Sequence, residues 1–183
     1  MKSLLCAVCF LLLTSMCHPL FAQAYSSGDC NVIDSRGFRQ GAWKITAAMK
    51  KLQSPWTPQQ IVSEGNYIDS REQGMWISYR QTGVMLSKVS YNQGRKEGPV
   101  EYFDADGRMA FACTYAKGVY NGTMTRYYPD GKILMESKWD FGKVVGTVKT
   151  YYPSGKLYEE GTWANGWFAG DYKIYNENGT LMR

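Results

Sequence analysis

Residues able to do chemistry are scarce in this sequence. The only histidine is His18. If the first 24 residues are a leader, as argued below, the remaining chain has no histidine. That removes Ser-His-Asp and Cys-His nucleophilic sites and histidine-ligated metals. Of the five cysteines, Cys6, Cys9 and Cys17 fall in the same leader. Cys30 and Cys113 are too few for a thiolate metal site. Glu136, Asp140, Glu159 and Glu160 could supply the carboxylate pair of a glycoside hydrolase. Such a pair needs unequal environments that split its pKa values. Glu64, Glu136 and Glu160 instead recur at one repeat position, which fits a solvated face. Pro129-Asp130-Gly131 lacks the acid density of a calcium loop. The expectation is a protein without catalytic residues, cofactor or metal.

The leader is read from its parts. Met1-Lys2 gives a positive start, Leu4 to Leu13 an apolar run too short to span a bilayer, and Ala22-Gln23-Ala24 an A-x-A cleavage site. Cleavage after Ala24 predicts an exported protein, periplasmic or secreted. The rival, lipidation at Cys17, has a poor lead-in in Thr14-Ser15-Met16. Lys2 is the only charge in the leader, so 20 basic and 16 acidic residues remain, a net charge of about +4. The two signs are interspersed, which argues for solubility and against a nucleic-acid footprint.

What positions the remaining residues is a repeat. Gly74, Gly98, Gly122, Gly146 and Gly170 fall every 24 residues, and Gly83, Gly107, Gly131, Gly155 and Gly179 fall nine after each. Tyr67, Tyr91, Tyr115, Trp139 and Trp163 precede each unit start by seven residues. Tyr79, Phe103, Tyr127, Tyr151 and Tyr175 follow it by five. Gly41 opens a longer first unit with an insertion at about 48–59, whose Pro55 and Pro58 make it a loop. The predicted organisation is a signal peptide (1–24), an N-terminal segment with a partial repeat (25–40), and a repeat domain (41–183). Its units start at 41, 74, 98, 122, 146 and 170.

Each unit reads as two strands and two turns. The first strand starts at the unit glycine, as from Gly146 through Thr147 to Tyr152, and ends in a Pro-x-Gly or Asp-Gly turn. The second alternates: Met109, Phe111, Cys113 and Tyr115 face one way, Ala110, Ala112 and Thr114 the other. A connection from Asn165 to Gly170 leads into the next unit. One hairpin cannot bury its apolar face alone, but stacked neighbours can. The fold class is all-β, an elongated sheet of stacked antiparallel hairpins with the aromatic ladders as its core. Cys30 and Cys113 would then lie about three units, roughly 29 Å, apart. That is too far for a disulfide within the chain, while an intermolecular bond through Cys30 stays open.

The units resemble MORN repeats (membrane occupation and recognition nexus) in their bacterial form. The residues that carry the resemblance are Gly98 to Phe103 as G-x-x-x-x-[YF], Tyr151 to Leu157, and Trp163-Ala164-Asn165-Gly166 leading to Gly170. It covers about Gly37 to Arg183. It implies a binding or scaffolding role. Bacterial members are similar to a group labelled antitoxin-like, and eukaryotic ones are linked to phospholipid membranes, scaffolding and accessory domains.

Two features exceed what such a fold demands. Arg95-Lys96, Val119-Tyr120, Lys143-Val144 and Trp167-Phe168 recur at one repeat position, and in three of these four units they form a candidate apolar ridge along one edge. Val119, Tyr120, Val144, Trp167 and Phe168 are thus candidate partner-binding residues, or they fold back to close the sheet. Trp56, in the insertion, is either a surface anchor or a lid over the first hairpin. The expected partner is another protein. The alternatives are weak contact with lipid head groups or glycans, and pairing between chains through a terminal strand edge.

Overall fold

The structure, a computed structural model, describes residues 30–183; the leader and its cleavage after Ala24 lie outside them. All regular structure in this span is β. Twelve strands form one antiparallel sheet in sequence order. They are β1 (Val32–Ile33), β2 (Arg39–Thr46), β3 (Ile61–Ile68), β4 (Arg71–Tyr79), β5 (Met85–Asn92), β6 (Arg95–Phe103), β7 (Met109–Ala116), β8 (Val119–Tyr127), β9 (Ile133–Asp140), β10 (Lys143–Tyr151), β11 (Leu157–Ala164) and β12 (Trp167–Ile174). The stack of hairpins expected from the period is the observed architecture.

The two turns of each unit differ chemically, so the sheet has two unlike edges. At one edge the loops have two residues, and both residues take positive φ, as in Lys117 (51°) and Gly118 (85°). This matches a type I′ turn, whose twist suits a hairpin. The second turn residue donates its N–H to a carbonyl one hairpin earlier: Gly94 to Glu72, Gly118 to Lys96, Gly142 to Tyr120 and Gly166 to Val144, at 2.8–3.0 Å. At the other edge the turn closes on a glycine, as Gly131 N to Tyr128 O at 2.9 Å. Here too hairpins are tied together. Tyr128 and Tyr152 donate their hydroxyls to the carbonyls of Tyr151 and Tyr175, and Arg80 reaches that of Phe103.

Two expectations need correction. Strands do not start at the unit glycines but two residues earlier at Gly41 and three at the others: Gly98 lies within β6 at φ 89°. Opposite it the register slips between the pairs Val89↔Val100 and Tyr91↔Lys96, so Gly98 marks a bulge. Likewise the connection from Asn165 to Gly170 is a turn of Asn165 and Gly166 alone, and Trp167 already belongs to β12.

The second correction concerns the aromatic series. Trp76, Val89, Val100, Cys113 and Met124 are buried and pair across neighbouring strands on one face, and Trp43 is buried in a cluster with Tyr67 and Trp76. Tyr91, Tyr115, Tyr120 and Trp139 pack against them. Val100 is wholly enclosed, worth about 1.5–3 kcal/mol on the scale for a fully buried aliphatic side chain. The series Tyr79, Phe103, Tyr151 and Tyr175 lies on the opposite, charged face. There Tyr79 donates to Glu64, Tyr151 to Glu136 (2.9 Å) and Tyr175 to Glu160 (3.0 Å). Where Lys88 replaces the glutamate, Phe103 replaces the tyrosine, and the ammonium sits 5.5 Å from the ring centroid. The recurring glutamates are therefore half-buried acceptors and not merely a solvated face. Directly opposed Lys88 and Glu101, and Lys173 and Glu160, continue this face as ion pairs.

Candidate functional site

The six candidate residues do not form one surface. Consecutive residues of a strand point to opposite faces, and the ridge pairs are the first two residues of β8, β10 and β12. Tyr120 faces the aromatic side, wedged between Tyr115 and Trp139 at centroid distances of 4.6 and 5.3 Å. Val144 is half-buried opposite Trp139. Phe168 packs edge-on against Trp163 at 5.4 Å, though it is 55% exposed. Val119 and Trp167 face the other way, with 40% and 79% exposure. Trp56 is half-buried in the loop between β2 and β3. That loop is held to the next turn by Gln81 Nε2 donating to Pro55 O (3.1 Å) and by Gln60 donating to Gln81 O.

Sequence reasoning missed Phe141. It is the first residue of the turn between β9 and β10, with φ 40° and 61% exposure. Left-handed backbone is costly for a bulky residue, and Phe141 gains little burial in return. The repeat itself held the signal: Gln93, Lys117 and Asn165 occupy the same turn position. A Cβ on Gly142 would lie 3.8 Å from Val119 Cβ. This turn and the start of β8 are thus adjacent, and Val119 and Phe141 are neighbouring exposed apolar residues of the two-residue-turn edge.

A second feature is a groove of about 530 Å³ on the aromatic face toward the N-terminal end. Trp43, Tyr67 and Trp76 form its floor, with Arg39, Glu72 and Tyr91 beside them. Arg39 lies 5.1 Å from the Trp43 ring centroid and 5.2 Å from that of Tyr67, and donates to the Tyr67 hydroxyl at 3.1 Å. Burial, with the nearby Glu72 charge, raises the Tyr91 phenol above its usual range. The three floor rings are buried, so little ring face is offered for sugar stacking.

Chemically, the groups here hold one another. Glu136, Glu159 and Glu160 accept hydrogen bonds from Tyr151, Tyr172 and Tyr175. Among the described residues no group of three or more His, Cys, Asp or Glu side chains is placed to hold a metal ion. Cys113 is buried, which pushes its thiol up to about 11, and Cys30 is exposed; neither is in a disulfide. Among the described residues, no helix is long and apolar enough to cross a membrane.

No curated protein matches the chain in sequence. Among solved structures, the chain is similar to TarM from S. aureus in a crystal structure of a mutant with fondaparinux, alpha-GlcNAc-glycerol and UDP. The TM-score is 0.37 and the identity 11%, over 51% of this chain and 19% of that one. A further TarM crystal structure gives 0.35 and 11%, over 50% and 18%. A GtfA/B complex bound to UDP and GlcNAc gives 0.27 and 14%, over 60% and 22%. The chain spans about a fifth of the length of these proteins, and likeness this slight carries no argument about its fold or chemistry. The family comparison is more direct. Residues 120–140 and 144–165 match the MORN repeat variant, which supports a MORN-repeat protein.

Proposed function

We propose that this chain is a non-catalytic scaffold that binds another protein through its two-residue-turn edge. The observation that supports this most is Phe141, an aromatic side chain held out at a hairpin tip in a backbone conformation that disfavours it. Strain kept where it does not serve packing points to use by a partner. Val119 lies beside it, and Trp167 occupies the corresponding strand start on β12. Large apolar side chains of this kind dominate protein interfaces.

The proposal includes export to a bacterial envelope, from the Lys2, Leu4–Leu13 and Ala22–Ala24 pattern of the leader. An immunity or antitoxin-like role against an envelope-acting toxin is its family-level form, and fold alone does not decide it. The buried rings of the groove weigh against the glycan alternative.

The test is a paired capture from native envelope extract. One bait is the wild type; the other carries Val119→Ser, Phe141→Asn and Trp167→Ser, all at exposed positions. Circular dichroism first establishes that both are folded. Capture of a protein by the wild type, with at least tenfold less on the variant, supports the proposal. Equal capture by both, or none by either, refutes it.

A further inference from the structure

Along the same edge, on the N-terminal side of Val119, lies a second concavity of about 440 Å³, lined by Arg71, Asn92, Gln93, Arg95, Glu97 and Lys117. Its three cations come from three successive hairpins: Arg71 opens β4, Arg95 opens β6, and Lys117 is in the turn before β8. All three are exposed, and none enters an ion pair among the described residues. Three cations at turns elsewhere are paired, although Lys50, Lys51 and Lys156 are not, among the described residues. Arg36 is paired with Asp34 and Asp69, Arg108 with Asp106, and Lys132 with Asp130. The one carboxylate in the wall, Glu97, is engaged by the backbone N–H of Lys117 at 2.6 Å. Positive charge here is left without an internal partner.

Arg71 and Arg95 occupy equivalent positions one hairpin apart, and the next equivalent residue is the exposed apolar Val119, with Phe141 beside it. Two strands advance the sheet by about 10 Å, and an extended chain covers that in about three residues. We infer that this edge binds an acidic, extended segment of a protein. Two carboxylates about three residues apart would meet Arg71 and Arg95, the latter with Lys117 beside its strand, and an apolar side chain about three residues further on would meet Val119 and Phe141. This deepens the proposed function and rests on it, because it assigns the partner's chemistry at the same edge.

Fluorescence anisotropy with a labelled peptide of that pattern tests the inference. The comparison probes are the same peptide with its residues scrambled, vesicles of phosphatidylglycerol, and oligo-dT. The expected result is wild-type binding that weakens with salt and falls at least tenfold in Arg71→Gln/Arg95→Gln/Lys117→Gln. The scrambled peptide should bind at least tenfold more weakly than the designed one. Equal binding of the designed peptide to wild type and variant overturns the inference, as does equal binding of the scrambled peptide. So does failure to bind the designed peptide, whether or not vesicles or oligo-dT bind. The envelope capture separates the two claims: a partner retained by the triple-Gln variant but lost by the Val119/Phe141/Trp167 variant sinks only the acidic-segment assignment. No partner on the wild type, or equal capture by the wild type and the Val119/Phe141/Trp167 variant, sinks both.

Discussion

Replacing Phe141 by asparagine should stabilise the fold while weakening partner capture. Holding an ordinary L-residue in the left-handed region costs about 1–2 kcal/mol. Asparagine suits this turn position better, and the next hairpin already uses it, as Asn165 followed by Gly166 at φ 52° and 84°. Against this stands lost burial. Phe141 is 61% exposed, so about two fifths of a burial worth about 2 kcal/mol, or ~0.8 kcal/mol, is forfeited. The net expectation is a gain of about 0.5 kcal/mol, with an upper bound near 1. For a domain of this size that raises Tm by about 2 °C. Urea denaturation monitored by tryptophan fluorescence, alongside calorimetry, measures it. A loss of more than about 1 kcal/mol would mean that Phe141 packs against something the fold needs, and the reasoning from strain to function would fail.

Three further outcomes follow from the packing. A Cβ on Gly65 would lie 2.6 Å from Trp76 Cγ, beneath the ring system. Gly65→Ala should therefore cost about 2–3 kcal/mol in urea denaturation; an unchanged midpoint would contradict the close approach. The Tyr79 phenol is pushed up to about 12 by its bond to Glu64 and by burial, and that of Tyr151 to about 12 by burial and Glu136. Each contributes stability that is fully present below the unfolded tyrosine value of about 10 and is lost as pH rises through about 12. In Glu136→Gln, spectrophotometric titration should show one phenol moving back toward the ordinary value; an unchanged curve would remove the carboxylate as a cause. In a chain beginning at Tyr25, Ellman's reagent should modify one thiol, Cys30, at pH 8, and Cys113 only after denaturation. Two thiols reacting at once would contradict the burial of Cys113.

The hairpin stack was legible because its signals are local and repeated: the 24-residue period, the alternation in Met109–Ala116, and Pro-x-Gly turns such as Pro129 to Gly131. The start of each strand was not. A bulge glycine such as Gly98 and a turn glycine such as Gly94 both answer a demand for positive φ, and composition does not distinguish them. Taking Gly170 as the strand start turned Trp167 and Phe168 into neighbours on one ridge, although they project from opposite faces of β12. The Tyr–Glu ladder was hidden for a related reason. Tyr151 and Glu136 are 15 residues apart and meet only through pairing of β9 with β10. Phe141 escaped notice because an aromatic residue contradicts the chemistry its turn requires.

The most direct test of protein binding at the two-residue-turn edge is photo-crosslinking in envelope extract. A benzophenone side chain is placed at Phe141 in one sample, and at Ser154 on the opposite edge in another. The account predicts one discrete adduct from position 141, lost when Val119 and Trp167 are changed to serine, and none from position 154. Adducts of equal yield from both edges, or from position 154 alone, would contradict it.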